Sequence, residues 1–337
     1  MNKDWMKGYH TANEHAGYHV LTDCGILLVS GMDRVDFLQR QTTNDVRLLN
    51  RGTVLPTVLT SPTARIIEVF LFFEGDLLSD NPAEGREKTL LISLPERHQE
   101  TTRFLKRRIF IMDRVDVDDL SEQYALVNLF GPGSGSVLEG LGVLPLDKPG
   151  RISAAGFNGD VILIMRMHGM LYRGWGVVIP ASRLSSFQVG LEALGVSRIR
   201  REGYRIIQVE QGLPSAEHEL TEDFTPLEIG LHEAISDRKG CYTGKEVIAR
   251  QLTYDKVTHR LVGLRLEGML PRGTMLYADG KPAGEITSSV ESPRFGHIAL
   301  AVVKRPHYDE GSTLEFYESG KNEAQIRKSA TVISLPF

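Results

Sequence analysis

The stretch GMDRVDFLQRQTTNDV, residues 31–46, predicts a short helix that ends in a polar turn. Asp33 is a suitable N-cap residue, and Val35, Leu38 and Thr42 follow it at helical spacing. Residues 43–46 contain asparagine and aspartate, both of which favour turns because their side chains bond to nearby backbone groups. The pattern therefore predicts one helix with a buried face and a structured polar end.

Composition limits the class of protein. The chain has 337 residues, 41% of them hydrophobic and 24% charged, and a formal net charge of −4. Two or three domains are expected at this length. The charge balance argues against general nucleic-acid binding, which needs a basic domain. The apolar run at 298–303 is too short to span a bilayer. The N-terminus lacks the apolar core of a signal peptide, so we expect a cytoplasmic protein without a membrane partner.

Hairpin, helix and barrel signals divide the chain. Residues 54–73 alternate around a turn at 61–63 and predict a hairpin, whereas residues 97–110 predict an amphipathic helix. That helix carries a basic set that would attract an anionic ligand or simply be solvated (Arg103, Lys106, Arg107 and Arg108). From residue 257 onward helical signals nearly vanish. The pattern there predicts a C-terminal all-β barrel or sandwich domain.

Residues 239–246, KGCYTGKE, form what we call the cysteine segment. It contains Cys241, and Cys24 is the only other cysteine of the chain, so no disulfide framework is expected. Thr243 and Glu246 have the spacing of a capping box, which predicts a helix start beside Cys241. The helix dipole, Lys239 and Lys245 would favour a thiolate that acts as a nucleophile or soft metal ligand. The alternative is a small buried cysteine in a glycine turn.

Four segments resemble the YgfZ-type folate-binding proteins and the related glycine-cleavage T-protein, an aminomethyltransferase. They are residues 31–46, ending in TNDV; residues 60–66, TSPTARI; residues 210–214 with 226–231, EQGLP and PLEIGL; and the cysteine segment. The last of these is similar to the YgfZ signature, except that Lys245 occupies the usual glutamine position. T-proteins proper lack this cysteine.

The resemblance implies an α+β fold with three domains around a central cavity and a C-terminal barrel. The expected domains are residues 1–50 plus about 115–195, about 51–114 plus 196–256, and 257–337. It also implies tetrahydrofolate or a one-carbon derivative as cofactor, and iron–sulfur enzymes or cluster-assembly proteins as partners. The function expected from it is that of a folate-binding accessory protein for iron–sulfur enzymes, including radical enzymes that modify tRNA.

Three departures from the T-protein pattern count against aminomethyltransferase chemistry. The paired-aspartate motif aligns with residues 66–69, IIEV, which keep only Glu68. A pterin-reading carboxylate aligns with Val178, and an arginine aligns with Gln208. An aminomethyltransferase that uses Asp45 or Glu68 stays as an alternative, as does a non-catalytic scaffold. Whether the chain is an enzyme is left open.

The site residues expected from this resemblance surround the turn and the cysteine segment. Cys241 is the expected reactive group. The expected folate contacts are Asn44, Asp45, Arg65, Trp175, Lys239 and Tyr242. A guanidinium at Arg65 suits the folate carboxylates, and Trp175 would stack on a pterin ring. An exposed turn arginine and a core tryptophan are the respective alternatives. No metal site is expected.

Overall fold

A computed structural model describes residues 4–22, 24–75, 88–93, 98–167, 173–319 and 325–337. These residues form two compact units, the first comprising Met1–Tyr204 with Glu233–Lys245 and the second Arg205–His232 with Glu246–Phe337. Within the described ranges, no helix is both long and apolar enough to cross a membrane.

Helices and strands follow one another in an α+β arrangement. In chain order the helices are α1 (Asp4–Glu14), α2 (Arg34–Gln41), α3 (His98–Lys106), α4 (Ser134–Gly140), α5 (Leu184–Ala193), α6 (Arg201–Glu210) and α7 (Lys245–Thr253). The strands are β1 (Gly17–Leu21), β2 (Gly25–Ser30), β3 (Leu55–Thr60), β4 (Ile66–Glu74), β5 (Lys88–Ser93), β6 (Asp116–Asp119), β7 (Tyr124–Phe130), β8 (Ile152–Phe157), β9 (Asp160–Arg166), β10 (Trp175–Pro180), β11 (Ser197–Arg198), β12 (His259–Arg265), β13 (Met275–Ala278), β14 (Lys281–Ser292), β15 (Gly296–Lys304), β16 (Thr313–Ser319) and β17 (Gln325–Ile333).

The first unit contains two sheets. One has the order β11-β1-β7-β10-β9-β8, and the other has the order β3-β4-β5-β2-β6. Helix α2 packs Phe37 and Leu38 against Phe70 and Phe72 of β4 in the core of the second sheet, and all four side chains are fully buried. This burial explains the apolar face predicted for residues 31–46, because a helix beside a sheet is stabilised mainly by that face.

Strand β2 shows where tertiary pairing departs from the chain order. It belongs to the five-stranded sheet, where it pairs with β5 and β6. The predicted first domain included β2 within residues 1–50, although β1 lies in the six-stranded sheet. Both strands carry apolar residues, so local pattern does not choose between two sheets. The three-domain division stays a prediction.

The second unit contains a closed barrel with the strand order β12-β15-β14-β13-β16-β17. Its interior is filled by small and branched side chains, among them Leu264, Ile286 and Val303. Asp279 and Gly280 both have positive φ, 51° and 72°, as a two-residue hairpin turn requires. The prediction of a C-terminal all-β domain is therefore confirmed as a barrel.

Candidate functional site

The TNDV turn that follows α2 is fastened to residues far away in the chain. The Thr43 hydroxyl donates to the carbonyl of Ala234 at 2.6 Å. The amide nitrogen of Asn44 donates to the carbonyls of Pro56 (2.8 Å) and Glu233 (2.9 Å). The amide oxygen of Asn44 accepts from the backbone N–H of Asp45. Asn44 is buried, so its amide holds this turn against the chain leading to the cysteine segment.

Lys239 continues the same connection. Its side chain is only 3% exposed, and its ammonium donates to the carbonyls of Thr42 at 2.5 Å and Asn44 at 2.7 Å. The ammonium also lies 5.0 Å from the ring centroid of Tyr242, within cation–π range. Burial lowers the pKa of Lys239 to about 8, although the nearby Asp45 carboxylate acts in the opposite direction. Desolvation therefore outweighs the charge partner here.

Cys241 and Tyr242 are neighbours in the cysteine segment but differ in exposure. Tyr242 is 8% exposed, and burial raises the pKa of its phenol to about 12. The Cys241 thiol is exposed. Lys239 and Tyr242 are thus buried, whereas Gly240 and Cys241 between them are exposed. This excludes the alternative of a buried structural cysteine.

The far end of the cysteine segment is held by three further contacts within the first unit. Lys245 Nζ donates to the Lys239 carbonyl at 2.6 Å, and the Thr60 hydroxyl donates to the Thr243 carbonyl at 2.6 Å. Gly244 has φ +85°, and a Cβ there would meet the Ser61 carbonyl oxygen at 2.7 Å. A glycine is therefore required by both backbone angle and close approach.

The predicted capping box is wrong in detail. Helix α7 begins at Lys245, two residues after Thr243. The Thr243 hydroxyl lies 3.4 Å from Arg108 Nη1, and Glu246 forms an i,i+4 ion pair with Arg250. Tertiary contacts compete with local caps for the same side chains, and in this segment they win.

The structure divides the basic set of residues 103–108. Arg108 Nη1 lies 3.4 Å from both the Thr243 hydroxyl and the Gln41 side-chain oxygen, and its guanidinium stacks over the Phe104 ring at 4.4 Å. Sequence patterning did not separate Arg108 from its neighbours, because α3 ends at Lys106 and the next residues leave the helical face. Arg108 is thus the member of the set placed beside the cysteine segment.

Asp45 and Arg65 remain accessible to a ligand. Asp45 is half-buried, and its Oδ1 accepts from Gln39 Nε2 (2.8 Å) and from the backbone N–H of Arg47 (3.2 Å). Arg65 is half-buried at the end of the turn between β3 and β4, where its backbone N–H donates to the Ser61 hydroxyl. Both stay candidates for folate contacts.

Trp175 occupies a different environment from the other candidates. It is 2% exposed within the core of the six-stranded sheet, and the Arg166 guanidinium covers its ring at 4.6 Å. A pterin would have to displace this packing to stack on the ring. The geometry favours the core role, and ligand stacking at Trp175 stays a prediction.

Glu68 and Val178 show what the positions of the T-protein carboxylates hold. Glu68 is fully buried, and its carboxylate accepts from the Thr101 hydroxyl at 2.8 Å and from the backbone N–H of Val69 at 3.0 Å. Val178 is fully buried in β10. Neither side chain is presented to solvent. Among the described residues, no group of three or more His, Cys, Asp or Glu side chains is placed to hold a metal ion.

Comparison with known proteins agrees with this architecture. Residues 1–239 match the family model of the GCVT N-terminal domain, and residues 259–337 match that of the glycine cleavage T-protein C-terminal barrel domain. The structure resembles the crystal structure of glycine cleavage system aminomethyltransferase T from Bartonella henselae with a TM-score of 0.83 and 20% identity, over 99% of this chain and 90% of that one. This likeness confirms the predicted fold.

Two relatives by sequence illustrate the range of the family. The Arabidopsis thaliana protein "Putative transferase At1g60990, chloroplastic" is 31% identical over 87% of this chain, which spans 66% of that protein's length. The aminomethyltransferase of Bacillus subtilis is 26% identical over 98% of this chain and 90% of its own. The two domain models together match most of the sequence, and the barrel model matches the C-terminal residues that form the closed barrel. The chain therefore belongs to the glycine cleavage T-protein family.

Proposed function

We propose that this protein is a folate-binding accessory factor of the YgfZ type, which serves iron–sulfur enzymes and acts through Cys241. The observation that carries the proposal is the geometry of the cysteine segment. The ammonium groups of Lys239 and Lys245 donate to backbone carbonyls, and the Tyr242 side chain is buried. Cys241, in contrast, is exposed. A segment fixed on both sides of one accessible thiol is suited to presenting that sulfur to a partner.

The carboxylates that a T-protein would use support an accessory role over transferase chemistry. Glu68 is the carboxylate that remains at the aligned aspartate pair, and it is engaged by Thr101 inside the core. A general acid must reach the proton that it transfers, within hydrogen-bond distance or through one water. A fully buried Glu68 does not meet this condition in the described geometry. Loss of such groups reduces rate more than affinity, so folate binding would persist.

A reduced folate fits the remaining polar groups in part. Asp45 retains an oxygen, Oδ2, beyond its contacts with Gln39 and Arg47. Such an acceptor suits the N–H donors of a pterin, and the Arg65 guanidinium suits the carboxylates of a folate tail. When bound, the folate would supply a one-carbon unit. Asp45 and Arg65 would orient it, and Cys241 would be the nucleophile of this chain.

The iron–sulfur partners rest on the resemblance of the cysteine segment to the YgfZ signature. Enzymes that modify tRNA by radical chemistry are the proposed clients, together with cluster-assembly proteins. An exposed cysteine sulfur can carry sulfur, hold iron transiently or form an adduct with a one-carbon folate. All three roles need the sulfur of Cys241 and none needs the sulfur of Cys24.

Complementation tests the proposal directly. A strain that lacks its own member of this family is given the wild-type protein, Cys241→Ser or Cys24→Ser, and the activity of an iron–sulfur tRNA-modifying enzyme is measured. We expect rescue by the wild type and Cys24→Ser but not by Cys241→Ser. Equal rescue by all three, at matched protein levels, would show that the thiol has no part in the function.

A tetrahydrofolate-dependent aminomethyltransferase is the second candidate, favoured by similarity to enzymes of that name over nearly the whole chain. The purified protein would then release ammonia and form methylene-tetrahydrofolate from an aminomethyl donor, and Asp45→Asn would abolish the reaction. A scaffold without ligand is the third candidate. It predicts no heat beyond dilution when tetrahydrofolate is titrated into the protein.

A further inference from the structure

A strongly exposed apolar tip follows helix α3. It consists of Phe110, Ile111 and Met112, whose exposed fractions are 65%, 104% and 87%. Single exposed apolar residues are common, but three in succession, each mostly exposed, are not. An exposed fraction above 100% also means that Ile111 projects beyond its neighbours. The apolar tip is therefore a convex feature and not the wall of a groove.

The apolar tip is held in a closed turn. The Phe110 backbone N–H donates to Asp113 Oδ2 at 3.0 Å, and the Asp113 backbone N–H donates to the Phe110 carbonyl at 2.9 Å. Bonded backbone groups lower the cost of moving such a turn out of water, because unpaired ones are expensive in an apolar medium. The three side chains are thus presented by a backbone that already satisfies part of its polar groups.

Cations flank the apolar tip in the sequence. Residues 103–114 contain five lysines and arginines and one aspartate, a local charge of +4 in a chain whose net charge is −4. The one aspartate, Asp113, is 13% exposed and pairs with Arg40 at 2.7 Å. Arg103 and Arg107 are exposed, whereas Lys106 lies 3.8 Å from Asp116. The segment that carries the tip therefore includes exposed positive charge at Arg103 and Arg107.

A fourth apolar side chain lies at the edge of this surface. Met32 is 58% exposed, and its sulfur lies 3.3 Å from Arg114 Nη1. Arg114 in turn pairs with Asp33 at 3.0 Å. Asp33 and Asp113 are therefore each paired with an arginine, which weakens their repulsion of an approaching anionic surface.

We propose that the apolar tip and its cations form a peripheral contact with an anionic lipid surface. Apolar side chains enter the headgroup region while Lys and Arg attract the lipid charge, which is the combination presented here. A lipid surface needs no matching socket, so a convex tip suits it. A protein partner, in contrast, would need an apolar pocket complementary to the tip. The expected membrane contact is weak and reversible, because only a few side chains enter the lipid.

This contact differs from the membrane spanning that sequence patterning excluded. Spanning requires about 20 apolar residues, whereas an interfacial contact requires a few side chains and local positive charge. The expectation of no membrane partner was based on the length of apolar runs, at the N-terminus and at residues 298–303. The apolar tip is invisible to that criterion, because its exposure depends on the fold.

Co-sedimentation with vesicles tests the proposal. The purified full chain is mixed at low salt with vesicles of phosphatidylcholine, or of phosphatidylcholine with about a third phosphatidylglycerol. We expect binding to the anionic vesicles, little binding to the neutral ones, and loss of at least tenfold in partition coefficient for the double variant Ile111→Asp and Met112→Asp. The substitutions Arg103→Gln and Arg107→Gln should each lower the partition coefficient for anionic vesicles about fivefold.

The matched control is Leu144→Asp with Val189→Asp. Both side chains are strongly exposed in the same unit, 84% and 65%, and the charge change is identical. Circular dichroism and thermal unfolding verify that both double variants fold. The proposal is supported if the wild type and the control variant bind anionic vesicles and the Ile111→Asp, Met112→Asp variant does not. Failure of the wild type to bind anionic vesicles, or equal binding by both double variants, overturns it and leaves a protein partner as the occupant of the tip.

Discussion

Lys239 Nζ lies 2.7 Å from the carbonyl oxygen of Asn44, although 195 positions separate the two residues. A second lysine extends the connection, since Lys245 Nζ donates to the carbonyl of Lys239. Lys239 thus joins the turn after α2 to the segment that carries Cys241, and Lys245 braces Lys239 within that segment.

Lys245 should be replaceable by the glutamine that is usual at its position. A glutamine amide can still donate to the Lys239 carbonyl, whereas methionine removes the donor and keeps the length. We expect Lys245→Gln to change the free energy of unfolding by less than about 0.5 kcal/mol and Lys245→Met to lower it by about 1 kcal/mol. Urea denaturation measures both. Equal effects of the two substitutions would mean that the hydrogen bond contributes nothing.

The stability contribution of Lys239 should depend on pH in the alkaline range. Burial lowers its pKa from 10.5 to about 8 in the folded protein. Between these values the unfolded chain binds more protons than the folded one, so stability rises with pH. The ionisation penalty is fully present below pH 8 and is removed above pH 10.5.

Lys239→Met removes this titration and serves as the reference. We expect the unfolding free energy of the wild type, relative to the variant, to rise by about 3 kcal/mol from pH 8 to pH 10.5. Lys281→Met, at an exposed hairpin position of the barrel, is the control. If the difference in unfolding free energy between the wild type and Lys239→Met stays constant over this pH range, the lowered pKa of Lys239 is contradicted.

Alkylation of the native protein should distinguish the two cysteines. Cys241 is exposed and Cys24 is half-buried, so iodoacetamide should modify Cys241 first. Mass spectrometry of peptides sampled over time gives the two rates, and a denatured sample gives the rates without protection. We expect the ratio of the Cys241 alkylation rate to the Cys24 alkylation rate to be severalfold higher in the native protein than in the denatured one. Slower native modification of Cys241 than of Cys24 would contradict the geometry of the segment.

The buried Glu68 carboxylate offers a test of the structural role assigned to it. Thr101→Val removes the hydroxyl that donates to Glu68 Oε2, while shape is nearly kept. We expect a loss of roughly 1–3 kcal/mol in unfolding free energy without a change in tetrahydrofolate affinity. Thr102→Val is the matched control on the same helix, because the Thr102 hydroxyl donates to the His98 carbonyl and not to Glu68. A change in folate affinity for Thr101→Val would instead place Glu68 at the ligand.

Local pattern was sufficient for many elements of this fold. The hairpin around residues 61–63, helix α2 and the strands of the barrel could all be predicted, because each has an apolar periodicity and turn residues of its own. The sheet to which β2 belongs could not be predicted, since an apolar strand can pair in either sheet. The capping box failed for a related reason, because Thr243 was engaged by Arg108.

Sequence by itself determined the family, the barrel and the identity of the candidate thiol, since these depend on residue types and short spacings. Tertiary structure alone decided which polar groups stay accessible. Asn44 and Lys239 are occupied by carbonyls far along the chain, Trp175 lies in the core, and Cys241 is exposed. Burial and hydrogen-bond partners arise from long-range packing, and no local pattern records them.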